Sequence, residues 1–172
     1  MRTKLWFAIG AVAMLAVVVA PPLAGAEIIS QKVRVVYDIV KAEVIQVGDV
    51  PGHVVGVAEG RGLAFPDNGE VGTFSNRIYF DYINGSGTHW SYAQFTFEDG
   101  STCFNKSQGT TTALPGGKSS YEGTITYIKG TGRFEGIQGG GPYAGRRLAP
   151  LAPGVPADSY FDLTATYTLR SR

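Results

Sequence analysis

The chain has 172 residues, of which 15 are basic and 14 acidic, and its formal net charge is +1. A protein this close to neutral lacks the basic surface that nucleic-acid binding requires, so no nucleic-acid partner is expected. The single cysteine, Cys103, excludes an internal disulfide. Two histidines and one cysteine form no metal-ligand motif, and no dinucleotide-binding motif is present. Neither a metal nor a cofactor is therefore predicted.

The first 26 residues have the order of an export signal. Two early basic residues precede an apolar run over residues 5–20, and the small-residue triplet 24–26 follows. We predict cleavage after Ala26, which leaves residues 27–172 as a single secreted or periplasmic domain with no integral membrane segment. An uncleaved anchor is the alternative, although a spanning helix needs about 20 apolar residues.

The rest of the chain predicts strands. Runs rich in Val, Ile, Tyr, Phe and Thr alternate with glycine-containing turns, and no stretch has convincing helical periodicity. The predicted strands cover residues 32–47, 53–65, 70–82, 88–98, 101–112, 119–129, 134–147 and 159–170. Asp99 and Gly100 give the strongest turn signal, because an Asp-Gly pair suits the positive φ of a two-residue hairpin.

Eight strands without helices predict an all-β fold, an eight-stranded antiparallel closed barrel. No helices are available to cover the two edges of an open sheet, and closure removes both edges. The interior of such a barrel can be filled by side chains or can hold one small ligand. A two-sheet sandwich is the structural alternative.

An outer-membrane barrel is a second alternative, which requires strands with an apolar outer face and a polar inner face. One face of the fourth predicted strand carries His89, Ser91, Ala93, Phe95 and Phe97. The other face carries Trp90, Tyr92, Gln94, Thr96 and Glu98. Neither face is a continuous apolar band, so we favour a barrel surrounded by water.

A glycine-rich motif follows the sixth predicted strand. Residues 130–139 read GTGRFEGIQG, a tight turn followed by an aromatic residue and by glycines that let a strand bend. This motif resembles the G-x-G-x-F-x-G-x-x-G signature shared by plant allene oxide cyclases and dirigent proteins. Residues 36–39 (VYDI) and 74–79 (FSNRIY) are similar to V-Y-E-I and F-S-N-K-L-Y of the cyclases. The resemblance implies a calycin-like barrel, similar to the bacterial type of allene oxide cyclase.

The same resemblance implies two catalytic residues, Asp38 and Asn76. In the cyclases the matching residues project into the cavity, where the asparagine helps to hold a water and the carboxylate acts electrostatically on a charge-delocalised intermediate. Strand alternation places Asn76 with Phe74 and Phe80. It places Asp38 with Val40 on another apolar face, where a carboxylate has a partner or a raised pKa. Because Val40 stands where the cyclases have a second asparagine, Asp38 and Asn76 could instead be a buried polar pair that fixes strand register.

The candidate ligand-binding residues are Phe74, Tyr79, Phe80 and His53. His53 begins the second predicted strand, and could act as an acid-base group at the barrel mouth with Glu59 or Arg61 nearby. A surface position in a turn is the alternative for this histidine.

Two further features have simple structural explanations. Arg146 and Arg147 could meet an anionic ligand, but adjacent side chains of a strand point to opposite faces, which favours a solvated pair. Cys103 could be a nucleophile, but no histidine lies near it in sequence. A small apolar side chain within a strand explains it better.

Three functions fit these observations. The first is an exported barrel that binds an apolar or aromatic small molecule and acts on it without a cofactor, as a cyclase, an isomerase or a stereocontrolling protein. The second is a non-catalytic carrier with the same cavity. The third is an interaction module of the cell envelope, which could form a homo-oligomer. The first two predict a partly empty cavity lined by Phe and Tyr with one or two polar groups.

Overall fold

Residues 28–151 and 156–169 are described by a computed structural model. They form a closed barrel in which each antiparallel strand pairs with the next one in sequence. The strands are β1 (Ile28–Gln46), β2 (His53–Pro66), β3 (Gly72–Ile83), β4 (Ser86–Phe97), β5 (Thr102–Ala113), β6 (Ser119–Thr131), β7 (Gln138–Arg147) and β8 (Ala157–Thr168). β1 also pairs with β8, so the sheet has no free edge. The predicted eight-stranded barrel is confirmed, whereas the predicted signal and its cleavage site lie outside the described residues.

The turn between β4 and β5 is made by Glu98, Asp99 and Gly100. Gly100 has a φ of 76°, and its N–H donates to the carbonyl oxygen of Phe97 at 3.0 Å. The Asp99 carboxylate accepts hydrogen bonds from the backbone N–H and the hydroxyl of Ser101, both at 2.9 Å. The hairpin reverses at the predicted place, but its loop has three residues between the paired Phe97 and Ser101, with a positive φ at Gly100 and not at Asp99. The predicted two-residue turn is therefore wrong in type.

The glycine-rich motif forms a turn and not the start of a strand. Gly132–Phe134 is a single turn of 3-10 helix, and β7 begins at Gln138 instead of the predicted Phe134. The turn is tightly packed, because a Cβ on Gly130 would overlap the carbonyl oxygen of Phe134. The turn places the ring of Phe134 inside the barrel, at a centroid distance of 5.2 Å from the ring of Phe97.

The side chains of β1 that face the interior change phase along the strand. Tyr37 and Ile39 are buried, whereas Val36 is 50% exposed. The pairing with β2 then shifts between Ile39 and Lys41, and burial resumes at Ala42. This β-bulge changes the phase of the strand: odd-numbered residues up to Ile39 face the interior, and Ala42, an even-numbered residue, does so after it.

One end of the barrel, where β1 begins and β8 finishes, is filled by side chains and is termed the closed end. Its buried residues are Phe97, Cys103, Tyr127, Phe134, Ile137 and Tyr167. The guanidinium carbon of Arg133 lies 4.7 Å from the ring centroid of Phe97 and 4.9 Å from that of Phe134. The same guanidinium donates to both carboxylate oxygens of Glu70, at 2.6 and 2.7 Å. The Arg133 guanidinium, held over the two rings and by a bidentate ion pair, thus covers this end.

No helix in the described ranges has the length and hydropathy to cross a membrane.

Cys103 is expected to be unreactive in the folded protein. Its side chain is 4% exposed, and burial raises the pKa of the thiol to about 12. The thiolate, which is the reactive form, is therefore scarce at neutral pH. We expect dithionitrobenzoate at pH 7 to modify Cys103 only after urea unfolds the chain, as followed by the absorbance of the released thiolate. Stoichiometric modification without urea would contradict the assignment of Cys103 to the core.

Candidate functional site

The half of the barrel opposite the closed end contains a cavity of about 70 Å³. Its aromatic wall consists of Tyr37, Phe74, Phe80, Tyr82, Phe95, Tyr121, Tyr143 and Phe161. Its polar groups are Asn76, His89, Ser91, Asn105, Ser107, Thr111, Arg147 and Ser159. The cavity is partly empty and aromatic, as predicted, but it contains more than the one or two polar groups expected.

The volume of the cavity limits what it holds. One water needs roughly 10–15 Å³, so the cavity has room for several waters. Pockets for drug-sized ligands are larger, about 300–1,000 Å³. Arg147 and Leu151 are partly exposed and lie at the rim, where the cavity opens toward solvent. The site therefore fits a small molecule, or one end of a longer molecule that extends through the rim.

Two asparagines present unpaired polar atoms inside the barrel. Asn76 is 6% exposed and Asn105 is 2% exposed. The side-chain oxygen of Asn76 and the side-chain nitrogen of Asn105 have no hydrogen-bond partner among the described residues. Gly60, which is paired with Asn76 across β2 and β3, leaves room for the amide, because a Cβ there would overlap the Asn76 oxygen. Buried polar groups are normally paired, so two unpaired atoms on residues that line one cavity are unusual for a purely structural interior.

A chain of hydrogen bonds connects four side chains of the wall and is termed the His89 chain. The Tyr82 hydroxyl bonds to the Thr111 hydroxyl at 2.9 Å, and the Thr111 hydroxyl bonds to Nδ1 of His89 at 3.0 Å. Nε2 of His89 bonds to the Tyr143 hydroxyl at 2.6 Å. Burial lowers the pKa of His89 to about 4 and raises that of Tyr143 to about 12. Both groups are therefore uncharged at neutral pH.

A second pair of hydroxyls is fixed beside this chain. The hydroxyls of Tyr37 and Tyr121 lie 3.0 Å apart, and the Tyr121 hydroxyl donates to the carbonyl oxygen of Tyr160 at 2.9 Å. Burial raises the pKa of both Tyr37 and Tyr121. These phenols stay protonated at neutral pH and add no negative charge to the cavity.

Arg147 is the one cationic side chain among the described residues that line this cavity. Its Nε–H donates to the carbonyl oxygen of Ala149 at 3.1 Å. No carboxylate of the described residues lies within 4.0 Å of its guanidinium, and burial lowers the pKa of Arg147. Arg146, the next residue back, is exposed. The interpretation of the two arginines as a solvated pair is therefore wrong for Arg147, which points inward.

The sequence matches no protein-family model and no curated protein. Among solved structures it is similar to a pterocarpan synthase dirigent protein, with a TM-score of 0.51 and 12% identity. The match covers 88% of this chain and 98% of that chain. The fold is similar to that of a dirigent barrel. At this identity the likeness concerns the fold alone.

Of the residues proposed from sequence for this dirigent-like barrel, Asn76, Phe74 and Phe80 line the cavity. Asp38 does not, because Tyr37 and Ile39 occupy the inward positions on either side of it. The predicted inward orientation of Asp38 is therefore wrong. Its exposed carboxyl lies beside Asp158, and its pKa is raised first by partial desolvation and then by the hydrogen bond and the charge of that neighbour.

Tyr79 and His53 also lie away from the cavity wall. Tyr79 is on the outer surface, where its ring stacks on Trp90 at a centroid distance of 5.5 Å. His53 contacts neither predicted neighbour, since its Nε2 bonds to Asp81 at 2.8 Å and its Nδ1 to Asp49 at 2.5 Å. Hydrogen bonds to Asp81 and then to Asp49 raise the pKa of His53. Neither side chain lines the cavity, so neither is placed to contact a ligand inside it.

Of the polar residues that line the site, His89 and Asn105 are absent from the sequence-based candidates, and Arg147 is considered there but assigned to a solvated pair. Alternation along β4 places His89 on the face opposite to that of Trp90 and Tyr92, which point outward. That alternation is the signal that could have found it. No group of three or more potential metal ligands occurs in the described part of the chain.

Proposed function

We propose that this protein is an exported barrel that binds a small apolar or aromatic molecule in its cavity and rearranges it without a cofactor. Its activity would be that of an isomerase or cyclase, or the steric control of a coupling reaction. The observation that carries the proposal is the pair of unpaired atoms on Asn76 and Asn105 inside an aromatic wall. The likeness in fold to a dirigent protein is consistent with it.

The unpaired atoms support binding because they are costly in a purely structural interior. An unsatisfied buried donor or acceptor costs roughly 1–3 kcal/mol. Asn76 offers an acceptor and Asn105 a donor, so a ligand hydroxyl would satisfy either atom, whereas a ligand carbonyl would satisfy only Asn105. The aromatic side chains would cover the apolar part of the same ligand.

The His89 chain supports chemistry as well as binding. The Tyr82 and Tyr143 hydroxyls stay protonated at neutral pH, since burial raises the pKa of both tyrosines. Donors fixed in a cavity stabilise an oxygen on which negative charge develops, without giving up their protons. The three bonds of the chain use three of the four protons that its members carry while His89 is neutral, so one terminal hydroxyl, that of Tyr82 or Tyr143, is left to donate to the ligand. A rearrangement within one molecule needs no further reactant, so this donor would assist a cofactor-independent isomerisation.

Native mass spectrometry of the protein purified from its own host tests the binding step. We expect a bound small molecule on the wild type and on Asp38→Ala, whose carboxyl is outside the cavity. Asn76→Leu keeps the approximate size of the side chain but removes the amide. We expect the fraction of this variant that carries bound ligand to be lower than that of the wild type by about tenfold or more. A folded wild type without any bound molecule would contradict the proposal.

A His89→Phe variant separates an enzyme from a carrier. Because isomers have the same mass, the molecule released from each protein is identified by chromatographic retention and NMR. An enzyme predicts the product on the wild type and the unreacted isomer on the variant. The same compound on both proteins, unchanged when it is added back to the wild type, would favour the non-catalytic carrier.

A further inference from the structure

Arg147 differs from every other arginine that the structure describes. The others are paired with a carboxylate or exposed: Arg34 with Asp162, Arg77 with Glu59, Arg133 with Glu70, and Arg61 and Arg146 at the exposed surface. Arg147 is partly buried at the rim of the cavity and has no carboxylate within 4.0 Å among the described residues. A cation withdrawn from water without a counter-charge is unfavourable, so this position calls for a structural or a functional reason.

The surroundings of Arg147 hold its guanidinium without neutralising it. Its Nε–H donates to Ala149, and this is the one hydrogen bond of its side chain to the described residues. The phenols that face it belong to Tyr37, Tyr82 and Tyr121, and burial raises the pKa of all three. They are neutral at neutral pH and do not supply the missing negative charge. The two terminal nitrogens are left as a planar pair of donors, the geometry that binds a carboxylate in a bidentate way.

We infer that the ligand of this barrel carries a carboxylate, which Arg147 binds at the rim while the apolar body of the ligand lies against the aromatic wall. This inference rests on the proposed function and adds the chemical class of the ligand. The small cavity volume favours a compact acid, such as one aromatic ring with a short carboxylated side chain. Asn76 and Asn105 then contact polar groups at the inner end of the molecule.

Calorimetric titration with trans-cinnamate and with cinnamamide tests the inference, because the two probes have similar shapes and differ in charge. We expect the wild type to bind the acid at least about tenfold more tightly than the amide, since hydrogen bonds between charged groups are the stronger ones. In Arg147→Gln this preference disappears, while the affinity for the amide changes little. Arg146→Gln is the matched control, because its side chain is exposed, and it retains the preference.

Arg147→Lys provides a second variant that keeps the charge but lacks the planar fork. We expect it to prefer the acid by a smaller factor than the wild type does. Equal affinities for both probes on the wild type, or an unchanged preference in Arg147→Gln, would overturn the inference and leave the proposed function standing. A third outcome is that neither probe binds at millimolar concentration and neither shifts the ring NMR signals of His89. In that case the proposed aromatic binding site fails together with the inference.

Discussion

Lowering the pH from 7 to 4 is expected to reduce the free energy of unfolding by about 3 kcal/mol through His89 alone. Burial lowers the pKa of His89 from 6.5 to about 4, and no carboxylate is bonded to its ring. Below pH 6.5 the unfolded chain therefore binds a proton that the folded chain excludes. The contribution of His89 to stability is complete above pH 6.5 and is lost progressively as the pH falls toward 4.

Urea unfolding at several pH values between 7 and 4 measures this effect. Other groups also titrate in that range, so the contribution of His89 is the difference between the wild type and His89→Gln, whose side chain is neutral throughout. His53→Gln is the control, because the pKa of His53 is raised and its stabilising effect is lost as the pH rises through that pKa. Parallel pH profiles for the wild type and His89→Gln would show that His89 is not buried in its neutral form.

Leu163→Ala is expected to lower the free energy of unfolding by about 3 kcal/mol. Leu163 is 1% exposed and is paired with Val33 on one side and Tyr143 on the other. Truncation removes its buried methyl groups and leaves a void that a closed barrel cannot collapse to fill, because each strand is hydrogen-bonded on both sides.

Leu148→Ala is the matched control for that substitution. Leu148 is 47% exposed, so the same chemical change is expected to alter the free energy of unfolding by about 0.5 kcal/mol or less. Urea unfolding of both variants, with a common slope against denaturant, measures the difference. Equal losses in the two variants would contradict the placement of Leu163 in the wall.

The number of strands and the closure of the barrel follow from the sequence, and the inward face of β1 could have followed from it too. Up to Ile39 the buried face of β1 is entirely apolar, with Val33, Val35, Tyr37 and Ile39. The opposite, exposed face carries the charged residues Lys32, Arg34 and Asp38 beside Val36 and Val40. Charges on one face only fix the phase of a strand, so the prediction that Asp38 points inward gave too much weight to its two valine neighbours.

The candidate site was predictable where a single strand determines it and hidden where distant strands meet. Asn76 lies in a strand with a clear inner face. The His89 chain instead depends on Thr111 from β5 and Tyr143 from β7, which lie far from His89 in sequence. Arg147 stands out because no carboxylate of the described residues lies within 4.0 Å of it, which becomes visible only when the strands are assembled.

The closed end limits the routes by which a ligand could enter and leave the cavity. With Phe97 and Phe134 filling one end beneath Arg133, the cavity communicates with solvent through the opposite rim. Under the proposed function, a molecule that enters past Arg147 would leave by the same route, because the closed end blocks displacement from behind. Release would then precede the next entry, and a product would compete with fresh ligand for the same opening.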